Sequence, residues 1–171
     1  RLKIMDLSDG SAQPMVDSQL GLSLAFNGAI YNFPELRAEL ESLGYGFYSD
    51  GDTEVLLKGY HAWGEALLPK LNGMFAFAIW ERDSQSLFIA RDRLGVKPLY
   101  LSRTGERLRF ASTLPALLKG GDISPMLDPV ALNHYLNFHA VVPAPRTLIA
   151  GIEKLPPATW MRIKANGQTE Q

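Results

Sequence analysis

The residues with the clearest potential for chemistry are Asn27 and Gly28, which stand together inside the strand-forming run 24–32. An Asn side-chain amide and a Gly backbone N–H can act as paired donors that stabilise the oxyanion formed when a carbonyl is attacked. A structural interpretation competes, because Asn-Gly is a strong signal for a tight hairpin turn. The following residues, 30–31, are few for a hairpin partner, and both interpretations stay open here.

Two carboxylates and one arginine are candidates for binding a substrate. Asp52 and Glu54 open a predicted helix, where acidic side chains commonly complement the helix dipole. Asp52 can instead accept a hydrogen bond from the α-ammonium group of an amino acid. Arg1 is the complementary candidate, because a guanidinium binds a carboxylate through two hydrogen bonds.

A charged loop, residues 91–98, lies between two apolar segments. Arg91, Asp92 and Arg93 are either a solvated charge run or part of a shaped loop with an internal ion pair. Gly95 and Pro98 favour the shaped loop, since both residues punctuate turns.

Composition excludes several classes of function. The 171 residues are 46% hydrophobic and 20% charged with a net charge of −1, which is typical of a globular protein and gives no case for nucleic acid or an anionic membrane. No apolar run approaches the ~20 residues that span a bilayer, and residues 1–6 do not resemble a signal peptide, so we expect a cytoplasmic protein. Cysteine is absent, which excludes disulfides, thiolate metal sites and a cysteine nucleophile within these residues. The three histidines lack metal-ligand spacing, and we expect no metal site.

The elements that position these residues follow from hydrophobic periodicity. We predict strands at 2–7, 20–26, 47–48, 73–80, 87–90, 99–101, 108–110 and 159–164, with Gly28 interrupting the second one. We predict helices at 33–43, 53–63, 65–71, 114–118 and 130–138, the first with Asn32 and Glu35 as a capping box. Strand 73–80 is apolar on both faces and should be buried on both sides. The fold class is α+β, with mostly antiparallel strands covered by helices.

Several ordered motifs then carry a family resemblance over nearly the whole chain. They are RLKIMDLS (1–8), GSAQPM (10–15), FNGAIYN (26–32), GDTEV (51–55), LNGMFAFA (71–78), RDRLGVKPLY (91–100) and KLPP (154–157). Together they resemble the glutaminase domain of glutamine-hydrolysing asparagine synthetases, a class II (N-terminal nucleophile) glutamine amidotransferase domain.

The resemblance implies a four-layer αββα sandwich of antiparallel sheets that hydrolyses L-glutamine to glutamate and ammonia. It implies a cysteine nucleophile at the mature N-terminus, upstream of Arg1 together with the family's first strand. We therefore expect these residues by themselves to be inactive. It also implies that residues 1–150 form the amidotransferase domain and that 151–171 lead towards a C-terminal synthetase domain. That domain would use ATP and Mg²⁺, whereas the present domain needs no cofactor; a homodimer is compatible with the resemblance.

Carried over by position, the resemblance assigns roles to individual residues. Arg1 would hold the glutamine α-carboxylate, Asn27 and Gly28 would form the oxyanion hole, and Asp52 would bind the α-ammonium group. The backbone of Leu2, Lys3, Ile4 and Met5 would line the site.

Two departures from the family bear on the assignment. Ala29 stands where asparagine synthetases usually have Glu, so one carboxylate for the ammonium group is missing, and Thr113 also replaces a usual Glu. Residues 111–118 and 134–147 look similar to the N-acetylglutaminylglutamine amidotransferase branch, which amidates a dipeptide. Two alternatives stay open: a non-catalytic paralogue that acts as a structural or regulatory partner, and a phosphoribosyl-pyrophosphate-dependent amidotransferase.

Overall fold

The computed structural model of the protein describes residues 5–6 and 9–171. The helices in this part of the chain are α1 (Phe33–Ser42), α2 (Asp52–Trp63), α3 (Leu67–Lys70), α4 (Leu114–Lys119) and α5 (Pro129–Asn137). The strands are β1 (Met15–Asp17), β2 (Leu22–Ile30), β3 (Gly73–Glu81), β4 (Ser86–Arg91), β5 (Tyr100–Thr104), β6 (Arg107–Ala111), β7 (Ile152–Lys154), β8 (Trp160–Ile163) and β9 (Thr169–Glu170). None of the helices described is long and apolar enough to cross a membrane.

The strands form two antiparallel sheets. The first sheet has the order β1-β2-β3-β4-β8-β9, and the second has the order β6-β5-β7. β7 pairs with β5 while β8 pairs with β4, so residues 152–163 contribute to both sheets. The division of the chain at residue 150 stays a prediction.

The two faces of strand β3 pack against different layers of the structure. Its large side chains Phe75, Phe77 and Ile79 lie in the core between the first sheet and helices α1 and α2. Its small side chains Ala76 and Ala78 lie in a second core between the two sheets. Burial on both faces is thus confirmed, and small residues allow the sheets to approach each other closely.

The layers occur in the order helices, sheet, sheet, helix. Helices α1 and α2 cover the first sheet, and α4 packs against β5 and β6 of the second sheet, outside the core between the sheets. The predicted α+β class and the αββα layering are confirmed.

Helix α2 is the element that carries Asp52 to the sheet. Leu56 and Tyr60 of its predicted apolar stripe are buried in the core, and Gly64 ends the helix with a φ of 54°. Glycine adopts a positive φ more easily than any other residue because it has no Cβ. Gly51 precedes the helix as an extended N-cap residue, so Asp52 lies in the first turn.

Asn32 stands at the N-cap of α1, but the predicted capping box is wrong. The Asn32 side chain makes no capping bond; its Nδ2 donates to Lys70 O at 2.9 Å and its Oδ1 accepts from Asn72 N at 2.9 Å. The amide thereby ties the end of β2 to the start of β3, a long-range use that local sequence does not reveal.

The predicted strand at 47–48 is also wrong, because buried Glu54 takes up the backbone of this segment. Its carboxylate accepts from Tyr48 N and from both Ser49 N and Ser49 Oγ, the latter two at 2.7 Å. Lys58, one turn along α2, pairs with Glu54 and donates to Gly46 O. A buried ion pair thus holds the loop before α2 in place.

Candidate functional site

Gly28 lies inside an uninterrupted strand. β2 runs from Leu22 to Ile30, and Gly28 stands directly opposite Phe75 of β3, so both the predicted interruption and the turn interpretation are wrong. The reason for glycine is a close backbone approach: a Cβ at this position would lie 2.1 Å from Met74 O and 2.8 Å from Phe75 Cα. No larger residue fits without separating the two strands.

The backbone N–H of Gly28 points away from β3. Alternate residues of a strand direct their N–H groups to opposite edges. The neighbouring even-numbered N–H groups bond on the far edge, Phe26 N to Gln13 Oε1 at 2.7 Å and Ile30 N to Asp52 Oδ2 at 2.9 Å. β1 pairs with β2 only as far as Leu24. The Gly28 N–H therefore lies between two satisfied donors and has no acceptor among residues 5–6 and 9–171.

Asp52 closes the same edge of β2 from the start of α2. It is 5% exposed, and no described basic side chain forms an ion pair with it. Burial raises the pKa of Asp52, although N–H groups of Ile30, Asp52 and Thr53 oppose the effect. A buried carboxylate without a cation is costly, and an ammonium group bound beside it would favour its charged form.

Asn27 borders a cavity of about 680 Å³ between the two sheets. Small residues Ala25, Ala76 and Ala78 form its floor, and Lys97 carries the one charge among the described lining residues. Gln13, which accepts the Phe26 N–H, also lines it. The arrangement places a neutral amide in an apolar cleft, where its hydrogen bonds to a developing negative charge are stronger than in water.

Asp92 organises the loop that closes this cavity. It is 2% exposed, and its carboxylate accepts backbone N–H groups of Val96 (2.9 Å), Lys97 (3.0 Å), Leu94 (3.1 Å) and Phe75 (3.2 Å). Burial would raise the pKa of Asp92, but these four bonds outweigh burial and hold it below its ordinary value. The carboxylate is thus saturated by the protein itself.

The two arginines of this loop also bind backbone rather than carboxylate. Arg91 donates to the carbonyls of Lys97 (2.7 Å), Gly95 (2.6 Å) and Leu155 (2.5 Å), and Arg93 donates to Leu71 O at 2.8 Å. The shaped loop is confirmed. The internal ion pair is wrong, because hydrogen bonds from charged side chains to the backbone hold the loop.

The predicted site residues fall into three groups: those outside the described part of the chain, Met5, and the residues of β2 together with Asp52. Arg1, Leu2, Lys3 and Ile4 lie outside the described residues. Met5 is 38% exposed and, like Asp6, lies outside any strand. Asp6 Oδ2 accepts from Ser11 Oγ at 2.6 Å and from Asp50 N at 3.3 Å, so this segment lies against the turn before Asp52.

The third group is brought together by the first sheet. Asn27, Gly28 and Ala29 are consecutive on β2, and Asp52 is bonded to the next residue, Ile30. Ala29 is 1% exposed and lies opposite Met74. Gln13 lies in the motif at 10–15, but no role was predicted for it; its carboxamide accepts from β2 across 13 positions of the chain.

Comparison with known families decides the family. The model of the glutamine amidotransferase domain family matches residues 1–171. The chain belongs to this family. Asparagine synthetase [glutamine-hydrolyzing] 1 of Bacillus subtilis is 42% identical to this glutamine amidotransferase domain over 168 residues, 98% of this chain and 26% of that protein. A putative asparagine synthetase [glutamine-hydrolyzing] of Mycobacterium tuberculosis H37Rv is 39% identical over 174 residues, 97% of this chain and 26% of that protein.

Solved structures share the fold. The glutamine phosphoribosylpyrophosphate amidotransferase of B. subtilis superposes with a TM-score of 0.62 over 93% of this chain and 31% of that one, at 23% identity. The amidotransferase domain thus spans about a quarter of the asparagine synthetases and about a third of this solved chain.

Proposed function

We propose that this domain hydrolyses glutamine to glutamate and ammonia. The observation that carries the proposal is the Gly28 N–H, a backbone donor without an acceptor in the described chain, next to the Asn27 amide on one strand. Two donors on consecutive residues suit an oxyanion on a single carbonyl oxygen.

The reaction passes through an oxyanion that Asn27 and Gly28 stabilise and then through a thioester. A thiolate attacks the γ-amide carbon, and the oxygen that becomes negative accepts from Asn27 Nδ2 and Gly28 N. Collapse of this intermediate expels ammonia after proton transfer to the amide nitrogen, and water then releases glutamate from the thioester. The thiol belongs to the N-terminal cysteine that the family resemblance implies, since residues 1–171 contain none.

Asp52 recognises the other end of glutamine. Its buried carboxylate pairs with the α-ammonium group, and Arg1 pairs with the α-carboxylate. Because Ala29 supplies no second carboxylate, Asp52 carries the electrostatic attraction for the ammonium group among the described residues. Binding therefore depends strongly on this one side chain.

The ammonia serves an amidation elsewhere in a longer protein. This proposal rests on the names of the relatives, which describe glutamine-hydrolysing asparagine synthetases of which the chain covers about a quarter. In the longer protein, a synthetase domain uses ATP and Mg²⁺ to activate a carboxylate. Aspartate and a dipeptide are the two acceptors to compare in an assay of that protein.

The Asn27→Ala variant of the full-length protein tests the oxyanion role. We expect kcat for glutamine hydrolysis to fall by roughly 10²–10³, because one donor to the transition state is lost. KM should change little, since the ground-state carbonyl carries little charge. Asn32→Ala is the matched control, because Asn32 bonds to Lys70 and Asn72 instead. A variant that loses binding but keeps kcat would contradict the proposed role of Asn27.

A further inference from the structure

An uncharged stretch covers α5 and the loop after it. Residues 129–145 contain no Asp, Glu, Lys or Arg, although these types make up 20% of the chain. A helix on a solvated surface normally has charged or polar residues on its outer face. The exposed polar side chains of α5, Asn133 and Asn137, are uncharged, so its solvent-facing side has no Asp, Glu, Lys or Arg.

Large apolar side chains are nevertheless exposed along this stretch. We refer to them as the α5 patch: Met126, Leu127, Val130, Tyr135, Leu136, Phe138 and Val141, of which Leu136 is 73% exposed. Within α5, Ala131 is the buried residue. Apolar exposure concentrated in one segment, residues 126–141, is typical of a surface that binds another protein surface.

The helix also needs additional packing for its stability. α5 has nine residues, and isolated helices of this length are marginal in water. Asp128 caps it by accepting Val130 N at 2.8 Å and Ala131 N at 3.0 Å. Capping contributes only about 1 kcal/mol, so contact with an apolar partner is the natural source of the remaining stability.

The chain outside these residues is the partner that the comparisons favour. The two asparagine synthetases named above have about three-quarters of their length outside the matched region. Thr169 of β9 and Asp128 at the start of α5 line one cavity, of about 830 Å³. A domain that follows residue 171 would thus begin near Asp128, which caps the start of α5.

We propose that the α5 patch is the surface on which the synthetase domain of the same polypeptide packs, an inference that rests on the proposed function. Permanent interfaces are depleted of charge and enriched in aromatic side chains at their centre, as this patch is. A transient partner would instead be expected to use charged residues to steer its approach. The lack of charge over 17 residues therefore favours a permanent neighbour within one chain.

Thiol labelling of the full-length protein tests this interface. Leu136→Cys and Leu43→Cys introduce single thiols at positions that are 73% and 58% exposed in this domain, and residues 1–171 contain no other cysteine. A polar maleimide is added, and labelling at each position is followed by peptide mass spectrometry, which separates it from labelling elsewhere. Rates in urea serve as the reference for each thiol.

We expect Cys at position 136 to label at least about tenfold more slowly than Cys at position 43 in the native protein, and equally fast in urea. Equal native rates would overturn the proposal. Protection that disappears on dilution, together with a halved molecular mass, would assign the patch to a second copy and also overturn it. Glutaminase activity of the unsubstituted protein is measured in parallel. Protection without any glutaminase activity would support the interface and overturn the proposed function.

Discussion

Asp52, at the start of α2, and Asp92, directly after β4, are both buried carboxylates that bond to strands of the first sheet, yet their surroundings differ. Asp92 accepts four backbone N–H groups, which lower its pKa despite burial. Asp52 accepts one N–H from another element, that of Ile30, and burial raises its pKa. The protein satisfies Asp92 by itself, whereas Asp52 has unused capacity for a cation.

Glu54 extends the comparison within a single helix turn. It is two residues after Asp52 and fully buried, but Lys58 and the backbone of residues 48–49 satisfy it. Three buried carboxylates therefore divide into two that hold loops in place and one that is available to a ligand. Burial alone does not identify a binding residue; the count of its partners does.

The largest effect on stability should follow from Glu54→Ala. Removing the carboxylate strands Lys58 as an unpaired buried charge, and we expect a loss of about 3–5 kcal/mol in the free energy of unfolding. Glu41→Ala is the control, because Glu41 is half exposed and its pair with Arg37 should contribute no more than about 0.5 kcal/mol. Denaturant unfolding measures the loss of stability in both variants. Equal, small losses would contradict a structural role for Glu54.

A smaller loss should follow from Asp92→Asn. The amide keeps one acceptor but turns its NH₂ towards backbone donors, which we expect to cost about 1–3 kcal/mol at neutral pH. The pKa of Asp92 is lowered by folding, so its stabilisation is present above the unfolded-state value near roughly 4 and is lost as the pH falls through the folded value. Thermal midpoints of the two proteins should therefore converge in acid. Asp83→Asn, at an exposed turn, should leave the midpoint unchanged at every pH.

Sequence predicted the elements that follow from local periodicity. Helix α2, the doubly buried β3 and the strands β5 and β6 have patterns that neighbouring residues determine. Motif resemblance also predicted Asn27, Gly28 and Asp52 as one site. The structure shows that β2 positions the first two and that Ile30 N bonds to the third.

Sequence could not predict contacts made over long separations. Asn32 has the residue type and the position of an N-cap, but its side-chain amide bonds to residues about 40 positions away. The segment 47–48 has strand-forming residues, but the carboxylate of Glu54 binds its backbone. The partners of Asp92 likewise depend on the conformation of the loop. The adjacent charges of Arg91 and Arg93 suggested an ion pair, whereas the carboxylate accepts backbone N–H groups.

Asp52→Asn in the full-length protein is the variant that tests the central claim most directly, with Asp92→Asn beside it. Because the pKa of Asp52 is raised by folding, its ionised form is destabilised relative to the neutral one, and Asn should leave the thermal midpoint unchanged or higher at neutral pH. Loss of the charged hydrogen bond to the α-ammonium group should raise KM for glutamine by roughly tenfold to a hundredfold, with kcat little changed.

The measurement is KM, kcat and the thermal midpoint of both variants under one set of conditions. The result expected for Asp52→Asn is weaker glutamine binding without a loss of stability, opposite to Asp92→Asn, where the midpoint falls. An unchanged KM together with a midpoint as low as that of Asp92→Asn would contradict the account, because Asp52 would then be a structural carboxylate like Asp92.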